Sequence, residues 1–213
     1  MLARIAFVYA NKNKEEINKY LSVTFRLAIY LSIPMIFGIA GLIENFISWF
    51  LPIEYQVVSI MIIYVSPIIL FISISNVYGI QYMIPCGMNS KFSTSVCIGA
   101  IFNFFINLLL IPKYGAYGAI IGTILAELIV CLVQYYYVRN SLKLDFKFRY
   151  LINVIVSSII MYLIVKYIGR LGNNFIINII QALVGLSTYV LCLIVIKDDF
   201  IIGLINKVRR IND

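Results

Sequence analysis

The sequence predicts an all-α, polytopic membrane bundle of six transmembrane helices, with both termini in the cytoplasm. The 213-residue chain is 62% hydrophobic and only 12% charged, whereas soluble domains carry about a quarter charged residues. Its apolar residues fall in six long runs, and a helix needs about 20 such residues to cross a bilayer. The cations between the runs lie almost entirely on one side.

Each run is predicted to be a helix, because a helix satisfies its own backbone hydrogen bonds in lipid. The short alternating segments typical of membrane barrels are missing. The predicted spans are Leu27–Phe46, Val57–Tyr82, Phe92–Ile111, Ala116–Val138, Tyr150–Val165 and Phe175–Ile196. Pro34 in the first span and Pro67 in the second predict kinks. Two interpretations of these kinks are open: they are static bends, or they are moving hinges of the kind that recur in transporters.

The distribution of cations orients the chain. If the N-terminus lies inside, 14 of the 17 cations face the cytoplasm, and only Lys113, Lys166 and Arg170 face outward. The positive-inside rule requires such an asymmetry. The inner loop Arg139–Arg149 carries four of these cations, which orient the chain and contact anionic headgroups. A second interpretation is that this loop recruits an anionic lipid-linked substrate. The net charge of +8 therefore needs no nucleic acid.

Small residues recur every four positions in span four, along two neighbouring lines of the helix. One line holds Gly118, Gly122 and Ala126; the other holds Gly115, Ala119 and Thr123 and continues to Glu127. Small residues at this spacing let a neighbouring helix backbone approach closely. We therefore expect both lines to serve helix packing, with span three as the hairpin partner through the short loop Pro112–Ala116.

Glu127 lies near the centre of span four, where an ionisable residue costs about 3 kcal/mol on insertion scales. It should face the protein interior or water. Two interpretations are open: a proton- or cation-coupled site in a transport cavity, or a protonated carboxyl bonded to a neighbouring helix. Asn103 and Asn107 share one face of span three. They are expected either to reach Glu127 across the hairpin or to act as interhelical hydrogen-bonding residues.

The remaining polar residues suggest neither a metal site nor an active site. Four cysteines, Cys86, Cys97, Cys131 and Cys192, are expected to be apolar packing residues without disulfides. Histidine is absent, and we expect no metal and no cofactor. Asp198 and Asp199 are expected to form a solvated helix end. Because the outer loops are short and nearly free of charged groups, we do not expect an enzyme.

The segment Ile111–Glu127, with Asn103 and Asn107 before it, resembles the C-terminal half of Wzx-type oligosaccharide flippases. These belong to the multidrug/oligosaccharidyl-lipid/polysaccharide exporter superfamily. The resemblance implies a flippase of the cell membrane that moves undecaprenyl-pyrophosphate-linked oligosaccharide outward. Its role would be in assembling surface polysaccharide: capsule, exopolysaccharide or O-antigen. The resemblance places Glu127, Thr123 and Asn103 among cavity-facing or lobe-packing residues.

Members of that family typically have twelve to fourteen helices in two lobes, and this chain resembles the last six of fourteen. The implied segments are residues 1–26, a cytoplasmic amphipathic lead-in that resembles the tail of a missing helix; residues 27–138, four helices of the C-terminal lobe; residues 139–149, the basic loop; and residues 150–213, two helices and a tail. A missing N-terminal lobe, or self-association, would then complete the transporter.

Two alternatives remain open. One is a multidrug or small-cation exporter of the same superfamily, which Glu127 and the abundant aromatic residues would suit. The other is a non-transporting membrane fragment or accessory subunit that packs on a partner. It is motivated by the missing lobe and by the absence of Lys or Arg near the middle of any span.

The predicted orientation determines where a membrane-impermeant thiol reagent can reach the chain. Lys143→Cys should react only after the membrane is opened, because its loop faces the cytoplasm, whereas Arg170→Cys should react in intact cells. Labelling is compared with the parent chain, which carries four native cysteines. Reaction of Lys143→Cys in intact cells would contradict the orientation.

Overall fold

The computed structural model of this chain describes residues 2–10, 14–145 and 147–203. Six of its helices are long and apolar enough to cross a membrane, and no strand occurs within the described residues. The all-α fold class and the six spans are therefore confirmed. The sides on which the termini lie stay a prediction. Lys12, Lys207, Arg209 and Arg210, which contribute to the charge asymmetry, lie outside the described residues, as does the side chain of Arg4.

Apart from the first, each span begins and ends within four residues of its predicted bounds. The helices are α1 (Leu2–Ala10), α2 (Lys14–Phe50), α3 (Val57–Val65), α4 (Ile68–Tyr78), α5 (Asn89–Tyr114), α6 (Ala116–Val138), α7 (Phe148–Gly169) and α8 (Phe175–Val195). A 3₁₀ turn at Ile53–Tyr55 precedes α3, and a π-helical turn at Gly79–Met83 follows α4. The second span therefore extends from Ile53 to Met83.

The first span starts earlier than its hydropathy predicted. Helix α2 has 37 residues, and at 1.5 Å per residue it is about 55 Å long, well beyond the roughly 30 Å of a hydrocarbon core. Its first turns carry Ile17 and Leu21, which are buried together with Ile5 and Val8 of α1. The amphipathic segment expected over residues 1–26 therefore packs part of its apolar face against protein.

The two prolines have different consequences for their helices. Helix α2 continues through Pro34 without interruption. The second span is divided by a turn at Ser66 and Pro67, which separates α3 from α4. Proline lacks the N–H group that would continue the hydrogen-bond ladder. The structure thus places a break at Pro67 and a continuous helix at Pro34.

The chain divides into two compact units. The first unit comprises Met1–Ser32 and Tyr64–Phe146, and the second comprises Ile33–Ile63 and Lys147–Asp213. The chain passes from one unit to the other inside α2, after Ser32, and inside the second span, after Ile63. These two residues lie two positions before Pro34 and four positions before Pro67. The core of the first unit is made by side chains from α1, α2, α4, the π turn and α6, among them Leu21, Val77, Met83 and Val138.

The second unit is held by glycines and by buried polar side chains. Val165 of α7 is 1% exposed and fits against Gly41 of α2 and Gly185 of α8, where a Cβ would come within 2.9 and 2.7 Å of its methyl groups. The Asn45 amide donates to the carbonyl oxygens of Gly169 (2.8 Å) and Gly172 (3.1 Å). The bond to Gly169 satisfies an acceptor that the end of α7 leaves open, and the bond to Gly172 holds the loop after α7.

Asp198 follows α8 and is only 1% exposed. Its carboxylate accepts hydrogen bonds from the Asn153 amide (2.8 Å) and from the backbone N–H groups of Phe200 and Ile201, as an N-cap does. Lys197 before it has φ 56°, the left-handed conformation that ends many helices. The solvated end expected at Asp198 is therefore wrong, because this carboxylate links a helix cap to α7.

Helices α5 and α6 form a tight antiparallel hairpin in the first unit. Gly115 alone separates them, with φ 55°, a conformation that glycine adopts readily. A Cβ on Gly118 would come within 2.4 Å of the Leu110 carbonyl oxygen. Further along, Gly99 of α5 faces Ala126 and Val130. The packing role expected of Gly115 is wrong, because a Cβ there would meet no atom within 4 Å; its role is in the turn.

The close approach of α5 and α6 predicts unequal costs for alanine substitutions. Gly118→Ala should lower the free energy of unfolding by about 1–3 kcal/mol, because the new methyl group meets a backbone carbonyl that cannot rotate away. Gly38→Ala is the matched control, since its Cβ would lie 3.8 Å from Met161 Cε, an ordinary contact. Thermal unfolding in detergent measures both variants, and equal melting temperatures would contradict the backbone contact.

Candidate functional site

The register of the α5–α6 hairpin determines which way Glu127 faces. Gly118, Gly122, Ala126, Val130 and Gln134 of α6 are buried at intervals of four residues, along the line that contacts α5. Successive residues of a helix are rotated by about 100°, so Glu127 lies outside the line of α6 residues that contacts α5. It lies in a groove of about 260 Å³ lined by Ile72, Ser75, Asn76, Ile80, Phe92, Val96, Glu127, Val130 and Gln134.

Glu127 itself is half-buried and occupies the middle of α6 (Ala116–Val138). Within the described part of the chain, its carboxylate has no hydrogen bond and no ion pair. Polar groups nearby in the groove include the Ser75 hydroxyl and the side-chain amides of Asn76 and Gln134. A carboxylate beside hydroxyl and amide groups can bind a proton, a cation or the hydroxyls of a sugar.

Asn103 and Asn107 do not join this site. The Asn107 amide donates to the Asn103 Oδ1 at 2.7 Å along α5. The Oδ1 of Asn107 packs closely against Gly122 of α6, where an added Cβ would come within 2.1 Å of it. It has no conventional hydrogen-bond partner and faces the Cα–H of Gly122, a weak contact typical of close helix pairs. Of the two interpretations, a hydrogen bond to Glu127 is therefore wrong. The hydrogen bond that the two asparagines make lies within α5, and Asn107 packs against Gly122 of α6.

Thr123 is half-buried and also lies outside the lining of the groove. Its hydroxyl donates to the carbonyl oxygen of Ala119, one turn earlier, at 2.8 Å. Hydrogen bonding to the preceding turn is a common way for threonine to satisfy its hydroxyl inside a helix. The structure thus gives Thr123 a local backbone partner, while Glu127, one turn further along the same helix line, faces the groove.

Gln134 is the residue that the sequence analysis missed. It is completely buried, and its Oε1 accepts a hydrogen bond from the Ser75 hydroxyl of α4 at 2.9 Å. Its Nε2 donates to the Ser95 hydroxyl of α5 at 3.2 Å, and Ser95 in turn donates to the Phe92 carbonyl. One amide therefore connects three helices behind Glu127. Its position in the four-residue series of α6 is the signal that could have identified it.

Gly79, at the start of the π-helical turn, makes room for this network. A Cβ on Gly79 would lie 2.6 Å from the Phe92 ring and 2.9 Å from the Gln134 Nε2. Single π turns are frequent at functional sites, because they redirect the side chains that follow. Here the turn lets the end of the second span approach α5 and α6 closely beside the groove.

The cysteines and acids make no metal site in the described residues, since no three metal-ligating side chains come together. All four cysteines carry free thiols. Cys86 lies between the second and third spans, where burial raises the pKa of its thiol to about 11. Because the thiolate is the reactive form of cysteine, Cys86 is chemically quiet near neutral pH.

Comparison with known proteins gives one partial match. An uncharacterized membrane protein of Methanocaldococcus jannaschii is 35% identical over 82 residues, which are 38% of this chain and 16% of that protein. The match thus spans about a sixth of the relative's length. No protein-family model matches the chain, and no solved structure matches it. Together with the six apolar helices, the relative supports a membrane protein.

The buried network predicts the effect of removing the Gln134 amide. Gln134→Leu keeps a side chain of similar size but leaves the Ser75 hydroxyl without its acceptor, so the free energy of unfolding should fall by about 1 kcal/mol. Ser75→Ala in that background should then add little, because the two residues share one hydrogen bond.

Gln56→Leu, at an exposed position, is the matched control. Unfolding in mixed micelles compares the three variants with the parent chain. A loss at Gln134 no larger than the loss at Gln56 would show that the network contributes nothing to stability.

Proposed function

We propose that this chain is a membrane flippase, or the C-terminal portion of one, that translocates lipid-linked oligosaccharide across the cell membrane for surface polysaccharide assembly. The observation that carries the proposal is Glu127, a half-buried carboxylate at the centre of α6. In the described residues it has no structural partner. An acid kept inside a span without a partner is expected to act in transport.

The chemistry of the groove suits a polar cargo that moves within a membrane. The Glu127 carboxylate and the exposed amide of Asn76 offer hydrogen-bond donors and acceptors. A sugar entering the hydrocarbon region must exchange its bonds to water for bonds to such groups. The apolar side chains beside them, among them Ile72 and Val96, keep the site continuous with lipid, where the hydrocarbon tail of the carrier remains.

The mechanism we propose is alternating access, in which two lobes rock about a binding site near the bilayer midplane. Glu127 would couple this motion to a cation or proton. Moving one charge across the membrane is worth about 2.3 kcal/mol per 100 mV, which is enough to bias the direction of transport. In this mechanism Gln134 is a positioning residue, because its bonds fix α4 and α5 on either side of the Glu127 groove.

A second candidate function is export of drugs or small cations. The observation that favours it is that Phe92 and Glu127 line the same groove, since an aromatic face and a carboxylate together attract organic cations. A non-transporting accessory subunit is the third candidate. Restored polysaccharide display would favour the flippase, and reduced drug susceptibility would favour the exporter. A chain that changes neither phenotype would favour the accessory subunit.

Glu127→Gln tests the proposed function in a flippase-deficient cell. The parent chain, expressed alone and together with an N-terminal flippase lobe, should restore surface polysaccharide in at least one of the two settings. Glu127→Gln should lower the restored amount about tenfold or more, because it keeps the size of the side chain but removes its charge. Surface polysaccharide is quantified by labelling intact cells.

Glu54→Gln, which changes an exposed acid of the turn at Ile53–Tyr55, is the matched control and should restore polysaccharide as the parent does. Equal restoration by Glu127→Gln would remove Glu127 from the mechanism. Failure of the parent chain in both settings, with the protein present in the membrane, would contradict the flippase itself.

A further inference from the structure

We infer that the cavity under the loop after α6 binds the phosphate group of a membrane lipid. This cavity has a volume of about 380 Å³ and lies within the first unit. It is lined by Phe25, Tyr78, Tyr135, Val138, Arg139, Leu142 and Leu144. It is separate from the Glu127 groove, whose lining shares no residue with it, and the inference is independent of which cargo the protein transports.

Three aromatic rings form one wall of the cavity. The Tyr78 ring lies 5.9 Å from the Phe25 ring and 6.1 Å from the Tyr135 ring, measured between centroids. Val138 and Leu142, which are both buried, also line the cavity. A ligand in this cavity therefore meets an apolar, aromatic surface on one side, which suits the glycerol and upper chain region of a lipid and not a fully hydrated ion.

Arg139 is the one charged residue among those that line the cavity. Its guanidinium lies 4.5 Å from the centre of the Tyr136 ring, a stacked arrangement that leaves its N–H groups free at the edges. The Arg139 backbone N–H donates to the Tyr135 carbonyl oxygen at 2.9 Å. In the part of the chain that the structure describes, the Arg139 side chain makes no ion pair and no hydrogen bond. A planar, unpaired guanidinium is the group best suited to bind phosphate through two parallel hydrogen bonds.

The loop after α6, which closes the cavity, is fixed to α2 by several contacts. One of them pairs the Asp145 carboxylate of this loop with a cation of α2. Arg26 forms an ion pair with Asp145 and also donates to its carbonyl oxygen. The Asp145 backbone N–H donates to the Ser22 hydroxyl at 2.9 Å, and the Lys143 N–H donates to Asn18 at 3.1 Å. Asp145 is therefore engaged by Arg26, and the Arg139 charge stays available to an anion from outside.

The position of the cavity favours a lipid phosphate over a free phosphate ion. Tyr78 is the last residue of α4, Tyr135 lies in the last turn of α6, and Arg139 follows α6 directly. Phe25 precedes the predicted first span, Leu27–Phe46, by two residues. An arginine at such a boundary is at the depth of the headgroups, next to anionic lipids. The apolar wall continues from there into the span, as a lipid with one phosphate and two chains requires.

Native mass spectrometry of the full chain in detergent tests the inference with three ligands: dioctanoyl phosphatidic acid, dioctanoylglycerol and inorganic phosphate. Phosphatidic acid should bind most tightly. Arg139→Gln should weaken that binding about tenfold or more, because hydrogen bonds to a charged partner are lost. Lys143→Gln makes the same change of charge in the same loop, outside the lining of the cavity, and should alter binding less than twofold.

Several outcomes would overturn the inference. Equal binding of dioctanoylglycerol would show that only the apolar wall acts, and equal binding of inorganic phosphate would show a free-ion site. Equal losses of phosphatidic acid binding for Arg139→Gln and Lys143→Gln would show that the lipid responds to surface charge in general and not to Arg139.

Leu144→Trp provides a second variant, because it fills the cavity and leaves the charge of Arg139 unchanged. This variant should also weaken phosphatidic acid binding about tenfold, and undiminished binding would place the lipid elsewhere. Each variant is first compared with the parent by thermal unfolding, so that a change in ligand binding is not confused with a change in folding.

Discussion

Polar groups that a chain carries into hydrocarbon must find their partners within the protein, and this constraint shapes both units. The backbone meets it by forming helices. The buried side-chain amides meet it at helix junctions. Gln134 accepts from Ser75 and donates to Ser95 in the first unit. In the second unit, the fully buried Gln181 donates to the Val165 carbonyl at 2.9 Å. Each amide thus holds neighbouring helices together through bonds that lipid could not replace.

The glycines make these junctions possible, because an amide can bridge helices only when their backbones are close. Gly118 and Gly122 let α5 lie directly against α6, and Gly79 admits the Phe92 ring and the Gln134 amide into one space. The same register that brings Ser95 opposite Gln134 turns Glu127 out of the α5–α6 contact. Packing and site are therefore consequences of one arrangement, in which a four-residue series fills the interface and the next position faces the groove.

Hydropathy was sufficient for the spans, since α6 begins and ends at the predicted residues and the other helices differ from their predicted spans mainly at the ends. It failed where tertiary contacts decide. Residues 14–26 are too polar to be read as part of a span, yet Ile17 and Leu21 are buried by α1 and the π turn. Asp198 is predicted to be solvated from its charge alone, because the partner that buries it, Asn153, is 45 residues away in the chain.

The groove itself was only partly predictable for the same reason. An ionisable side chain in the middle of an apolar run is unusual in any sequence, and this alone identified Glu127. Its neighbours Ser75, Asn76 and Gln134 come from positions about 50 residues upstream and seven downstream, and only the register of α4 against α6 brings them together. Asn103 and Asn107 were candidate partners of Glu127, but the Asn107 amide bonds to Asn103 and its Oδ1 packs against Gly122.

A comparison of three acids gives the strongest argument for function. Asp145 is paired with Arg26 and fixes a loop, and Asp198 accepts bonds from Asn153 and from two backbone N–H groups. Each of these acids has a structural role that accounts for its presence. Glu127 has no such partner among the described residues, although the middle of a span is where an unpaired carboxylate costs most. The contacts of the described residues therefore give no structural reason for a carboxylate at this position, and the proposed transport role rests on this difference.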